Sequence, residues 1–208
     1  MGVASDERQA LSAFLEEVGP DAPTLCEGWR TRDLAAHLVL REHRPDAAVG
    51  ILVSPFASYT RKVQDQYAAQ PWSELIARLR SGPAKFWPTR LPGVDEAANA
   101  GEFLVHHEDA RRGQPGWEPR PADPVRDARA WSSARAVGKL SLRKSPVGVT
   151  LRTPDGQQAA VKSGPDTVTV VGGPVELLLF VFGRDAVRLE FEGDPAAVDR
   201  LKALKRGL

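Results

Sequence analysis

The sequence predicts an α+β chain in two parts, a helical N-terminal domain of about four main helices followed by a small α+β domain with a mostly antiparallel sheet. Three observations carry this. Apolar residues recur at helical spacing up to Gly113. The stretch Gln114 to Pro124 then holds four prolines and reads as an extended linker. Beyond it the apolar period shortens to two at Val147, Val149 and Leu151. The expected division is a helical domain over 1–113, a linker over 114–124, and an α+β domain over 125–208, with the helix at 125–137 free to pack on either.

Taken in order, residues 5–18 form an amphipathic helix. Ser5 is its expected cap, Asp6 and Glu7 sit at the positive end of the dipole, and Leu11, Phe14, Leu15 and Val18 make the buried stripe. Gly19-Pro20 stops it. After a loop with Cys26 and Trp29, Thr31 caps a helix with Asp33 in its first turn and Leu34 and Leu38 around His37. Pro45 kinks or restarts that helix, because proline removes an internal hydrogen bond. A further helix runs from about Ser58 to Gln70, and Pro71 suits the first position of the next, with Trp72, Leu75, Ile76 and Leu79 inside. Gly82 to Val94, with Pro83, Pro88 and Pro92, reads as loop before a helix that Gly113 ends.

In the second part Asp123-Pro124 caps a helix through Trp131 and Val137. A strand at Val147 to Leu151, a turn at Pro154-Asp155-Gly156 and a strand from Thr167 to Val171 follow. Pro174 opens an apolar helix ending at Gly183; Val187, Leu189 and Phe191 alternate in a last strand; and Asp194-Pro195 caps a final helix carrying Val198, Leu201 and Leu204.

Composition excludes several functions. Lys plus Arg is 28 against 27 for Asp plus Glu, so no bulk positive field draws the chain to nucleic acid or anionic lipid. A lone cysteine, Cys26, excludes an internal disulfide framework and fits a reducing compartment. The N-terminal residues lack the charged and apolar regions of a signal peptide, and no apolar run reaches the ~18 residues of a membrane span. A cytoplasmic protein acting on small molecules, without membrane or nucleic-acid partners, is the expectation.

Chemistry concentrates in two helical segments. Glu102 and His106 are four apart and project from one helix face, the spacing at which two side chains share a cation. Asn99 and Asp109 extend that stripe. His37 faces the interior of a different helix. These three residues form a candidate metal site. Their plainer readings are a satisfied core histidine and a helix-surface pair. His107 points about 100° away from His106 and is expected outside the site, and His43 is expected to be exposed. Cys26 is either a small core residue or a loop thiol near the metal mouth, and Asp109 either an acceptor for His106 or solvent-facing.

The stretch Cys26-Glu-Gly-Trp29-Arg-Thr-Arg-Asp33-Leu34-Ala-Ala-His37-Leu resembles the signature of the mycothiol-dependent maleylpyruvate isomerase family, a branch of the DinB-like metal-binding four-helix bundles. The second part resembles that family's sterol-carrier-like domain, most of all in Leu178 to Arg184. The resemblance implies zinc ligands at His37, Glu102 and His106 and a mycothiol-type low-molecular-weight thiol as cofactor. It also implies a small-molecule substrate whose carboxylates need a cation, for which Arg184 is the candidate; its plainer reading is a surface arginine near a helix C-terminus. Two imidazoles and a carboxylate leave a divalent ion with open positions, and the same set suits nickel or iron. The alternative to an enzyme is a metal- or thiol-binding sensor module without catalysis.

Overall fold

The computed structural model describes residues 2–51, 53–84 and 93–207. The chain is α+β, and it divides into two compact units, Met1–Glu118 and Pro119–Leu208. Among the described residues no helix is long and apolar enough to cross a membrane.

The first unit is helical: α1 (Val3–Val18), α2 (Thr31–His43), the short α3 (Pro45–Ala48), α4 (Ala57–Ala68), α5 (Trp72–Ser81) and α6 (Val94–Arg112). α1 lies against α5 and α6, and α2 against α4 and α5. Their shared core contains Leu11, Leu15, Leu34, Leu38, Leu40, Ile76, Leu79 and Phe103. Burial of such side chains contributes about 1.5–3 kcal/mol each, which is what holds short helices of modest propensity in place.

Local sequence explains most of the helix ends. α1 starts three residues earlier than a Ser5 cap would give: Gly2 is the cap, and its carbonyl accepts the Asp6 N–H. The Ala4 N–H donates to Glu96 of α6, so a tertiary contact replaces the side-chain cap. α2 begins one residue earlier than a Thr31 cap would give. Arg30 is the cap, Asp33 accepts its N–H at 2.9 Å, and the Thr31 hydroxyl is spent on the Gly19 carbonyl. Pro45 restarts the chain as α3, and Pro71 caps α5 instead of opening it. The loop expected over Gly82 to Val94 falls largely outside the described residues.

The second unit comprises α7 (Pro124–Ser141), β1 (Val149–Arg152), β2 (Gln158–Lys162), β3 (Val168–Val171), α8 (Pro174–Val181), β4 (Glu190–Glu192) and α9 (Pro195–Lys202). Asp123 accepts from the Val125 and Arg126 N–H groups, and Asp194 from that of Ala197. The proline after each carboxylate is pre-set for a first helical turn. The sheet order is β2-β1-β3-β4, antiparallel at both edges and parallel between β1 and β3, so it is mixed. α7 lies against β2 and α8 through Gly138, where a Cβ would come within 3.1 Å of Val161 and 3.3 Å of Val181.

Candidate metal centre

The loop before α2 shapes one wall of the site. The Thr24 hydroxyl donates to the Trp29 carbonyl at 2.9 Å and accepts the Cys26 N–H at 3.1 Å, folding the loop back on itself. The Leu25 N–H donates to the Asp109 carbonyl, which ties this loop to the end of α6. Gly113 makes the approach possible: a Cβ there would stand 2.4 Å from the Pro23 carbonyl oxygen. The same fold lays the Trp29 ring on His37, with centroids 5.0 Å apart.

His37 and His106 then meet edge to face, ring centroids 5.2 Å apart, although each is only 7% exposed. Glu102, one turn before His106, places Oε2 3.5 Å from His106 Nε2. The other ring nitrogen, Nδ1, is 3.0 Å from Oδ2 of Asp109, which is fully buried. Thus Asp109 takes the acceptor role and not the solvent-facing one. The Cys26 thiol also donates to that Asp109 oxygen at 3.2 Å, and its sulfur lies 4.0 Å from His106 Nδ1. Arg41, one turn after His37, pairs with Glu102 through Oε2.

Protonation follows from this arrangement. Burial, the neighbouring His106 and Arg41 push His37 down to about 3, so its ring is neutral with a free lone pair. His106 goes the other way: burial opposes its charge, but Asp109, Cys26 and Glu102 outweigh it and hold the imidazolium well above the usual histidine range. Burial would raise Glu102, yet the hydrogen bond with His106 and the Arg41 guanidinium hold its carboxyl well below the usual range. Without a metal the cluster is therefore balanced by one proton on His106. An ion that takes up Nε2 must displace that proton.

The donor set fits a divalent ion. One atom each from His37, Glu102 and His106 lies within 4.8 Å of the others. Ligands about 2.0–2.1 Å from a tetrahedral zinc stand roughly 3.4 Å apart, close to the 3.5 Å between Glu102 Oε2 and His106 Nε2. Asp109 on Nδ1 fixes the tautomer that turns the Nε2 lone pair toward Glu102. A second group, Cys26, His106 and Asp109, also converges within 4.8 Å. It would use His106 Nδ1, the nitrogen already held by a buried carboxylate.

His37, Glu102 and His106, singled out in the sequence, are thus brought together. Arg184 lies in the second unit, where its guanidinium donates to the Phe182 carbonyl at 2.8 Å, the contact expected of an arginine near a helix end. His107 turns to α1 and pairs with Glu7 at 2.7 Å. His43 is half-buried, not exposed, and burial lowers its pKa. Sequence reading missed Gln64 of α4, which partly offsets the lowering of the His37 pKa, and Arg41. The signal for Arg41 was available, since it follows His37 by the same four residues that separate Glu102 from His106.

Comparison with known protein families, curated proteins and solved structures finds no match to this chain.

Proposed function

We propose that the chain is a metal-dependent enzyme working with a low-molecular-weight thiol of the mycothiol type, an isomerase or thiol transferase for a small molecule. On this reading it belongs with the maleylpyruvate isomerase family that its Cys26 to His37 stretch resembles; the first unit is a DinB-like four-helix bundle and the second a sterol-carrier-like domain. The observation that carries the reading is the meeting of His37, Glu102 and His106 from two separate helices with donor atoms within 4.8 Å. Burying two imidazoles and a carboxylate side by side costs solvation that an ion between them offsets. Zinc suits the set best, with nickel and iron as alternatives.

A divalent ion held there would act as a Lewis acid that lowers the pKa of a thiol. The protein supplies the rest. His37 offers a neutral ring nitrogen, Asp109 holds the Nδ1 proton of His106, and α2 and α6 hold the donors on rigid backbone. Trp29 packs its ring against His37, which is buried. In an isomerisation the thiolate adds to one carbon of a conjugated double bond and the π electrons move toward the adjoining carbonyl. Rotation about the new single bond follows, and the C–S bond then breaks to restore the alkene and the thiolate. Atoms and electrons balance without an oxidant.

The test is turnover of maleylpyruvate by the zinc-loaded full chain with and without mycothiol. Isomerisation that requires both zinc and the thiol, and disappears in His37→Ala, is the expected result. Turnover indifferent to either, or thiol binding undiminished in His37→Ala, contradicts the proposal.

A further inference from the structure

One carboxylate oxygen at the site has two claimants. Glu102 Oε2 is the atom that Arg41 Nη1 pairs with, and it is also the atom facing His106 Nε2 across the donor set. A divalent ion and a guanidinium on the same oxygen stand like charge against like charge within a few ångströms, where repulsion is strong in a partly buried setting. Metal loading therefore loosens Arg41 from Glu102. The charge count then asks for a replacement: the ion and Arg41 bring three positive charges against the carboxylates of Glu102 and Asp109, with both imidazoles neutral, so one positive charge is left over.

Position decides where the compensating group enters. His37, His106 and Asp109 are buried, whereas the Arg41 and Glu102 side chains keep 20% and 28% of their exposure, so this edge is the side open to solvent. A guanidinium fork matches a carboxylate in two parallel hydrogen bonds. We infer that Arg41 is the anion-holding residue of the metal site, exchanging Glu102 for a carboxylate of the ligand when metal binds, so that the ligand is a small acid with its carboxylate beside its metal-binding group. The inference rests on the metal reading above and gives the anion role to a residue of the same cluster.

The experiment titrates the zinc-loaded full chain calorimetrically with mercaptoacetate and with 2-mercaptoethanol, which share a thiol and differ in the carboxylate. The parent, Arg41→Leu and Arg41→Lys are compared after the zinc content and helicity of each are measured. The parent prefers mercaptoacetate by about 10-fold or more, the worth of one charge-assisted pair at a partly open site. Arg41→Leu loses that preference and binds zinc more tightly, by about 10-fold, because Glu102 has lost its competitor. Arg41→Lys keeps the charge without the fork and retains part of the preference.

A parent without the preference, or one that binds neither thiol, overturns the inference. So does a preference that survives in Arg41→Leu, or weaker zinc binding there, which a merely structural arginine would give. Should Arg41→Leu fail to fold, an undiminished preference in Arg41→Lys has the same force. A parent that takes up no zinc overturns the metal reading itself, and a zinc-loaded parent indifferent to the carboxylate overturns the role of Arg41 alone.

Discussion

Adjacent histidines on α6 have different surroundings. His107 turns to α1, is buried, and pairs with the Glu7 carboxylate at 2.7 Å. Its neighbours on the same helix are similarly matched: Glu108 takes Arg112 at 2.6 Å and Arg111 at 3.1 Å, and Asp95 shares the buried Arg8 with Glu42. His106, one residue earlier, faces another imidazole, and its stripe gathers Glu102, Asp109, Cys26 and Arg41 around one point. The first pattern gives each carboxylate a close hydrogen-bonding partner, which holds helices in register. The second places groups that bind cations side by side, and it is balanced by a proton on His106 or, once that proton is displaced, by an ion accompanied by an anion.

The largest effect separates the two faces. Glu108→Ala leaves Arg112 in the core without its closest carboxylate and is expected to destabilise the fold by about 3–5 kcal/mol in denaturant titration. Its metal stoichiometry should be that of the parent; loss of metal there would join the two faces into one system. Asp109→Asn comes next. It should keep the fold and weaken metal affinity about 10–100-fold, measured by competition with a chelator, because the Nδ1 proton of His106 loses its charged acceptor.

How much of this was legible depended on how local each interaction is. The Glu102 and His106 pair follows from spacing along one helix, and the Asp123 and Asp194 caps from residues within one turn. The pairing of His37 with His106 is tertiary: a polar ring among leucines made His37 a candidate, and the resemblance of the Cys26 to His37 stretch strengthened its grouping with Glu102 and His106. Strand β2 went unseen because Gln158 to Lys162 is short and its apolar residues, Ala159 to Val161, are consecutive and not alternating. The parallel β1 to β3 pairing was equally hidden, since strand order is a property of the sheet and not of either strand. At the start of α1, Glu96 took the role that Ser5 was expected to fill.

Acidity sharpens the comparison further. The pKa of His106 is raised in the metal-free protein, so metal uptake releases its proton, and affinity should rise up to ten-fold per pH unit until pH passes that pKa, above 6.5. The sign for stability is the reverse. The charged His106 stabilises the metal-free fold fully below the unfolded value of about 6.5, and this contribution is lost as pH rises through the folded value. Metal affinity flat with pH across that range would contradict the proton displacement. The smallest effect belongs to Cys26→Ser: metal stoichiometry unchanged and stability within about 1 kcal/mol, since a neutral hydroxyl can replace the thiol as donor to Asp109. Loss of metal in Cys26→Ser with retention in His37→Ala would move the site to the Cys26, His106 and Asp109 group.

The most direct measurement is elemental analysis of protein purified without an affinity tag or added metal, parent beside Glu102→Ala, with helicity recorded for both. The account predicts about one equivalent of zinc, or of nickel or iron, in the parent and none in the variant, at closely similar helicity. Equal metal in both, or none in either after reconstitution, would contradict it.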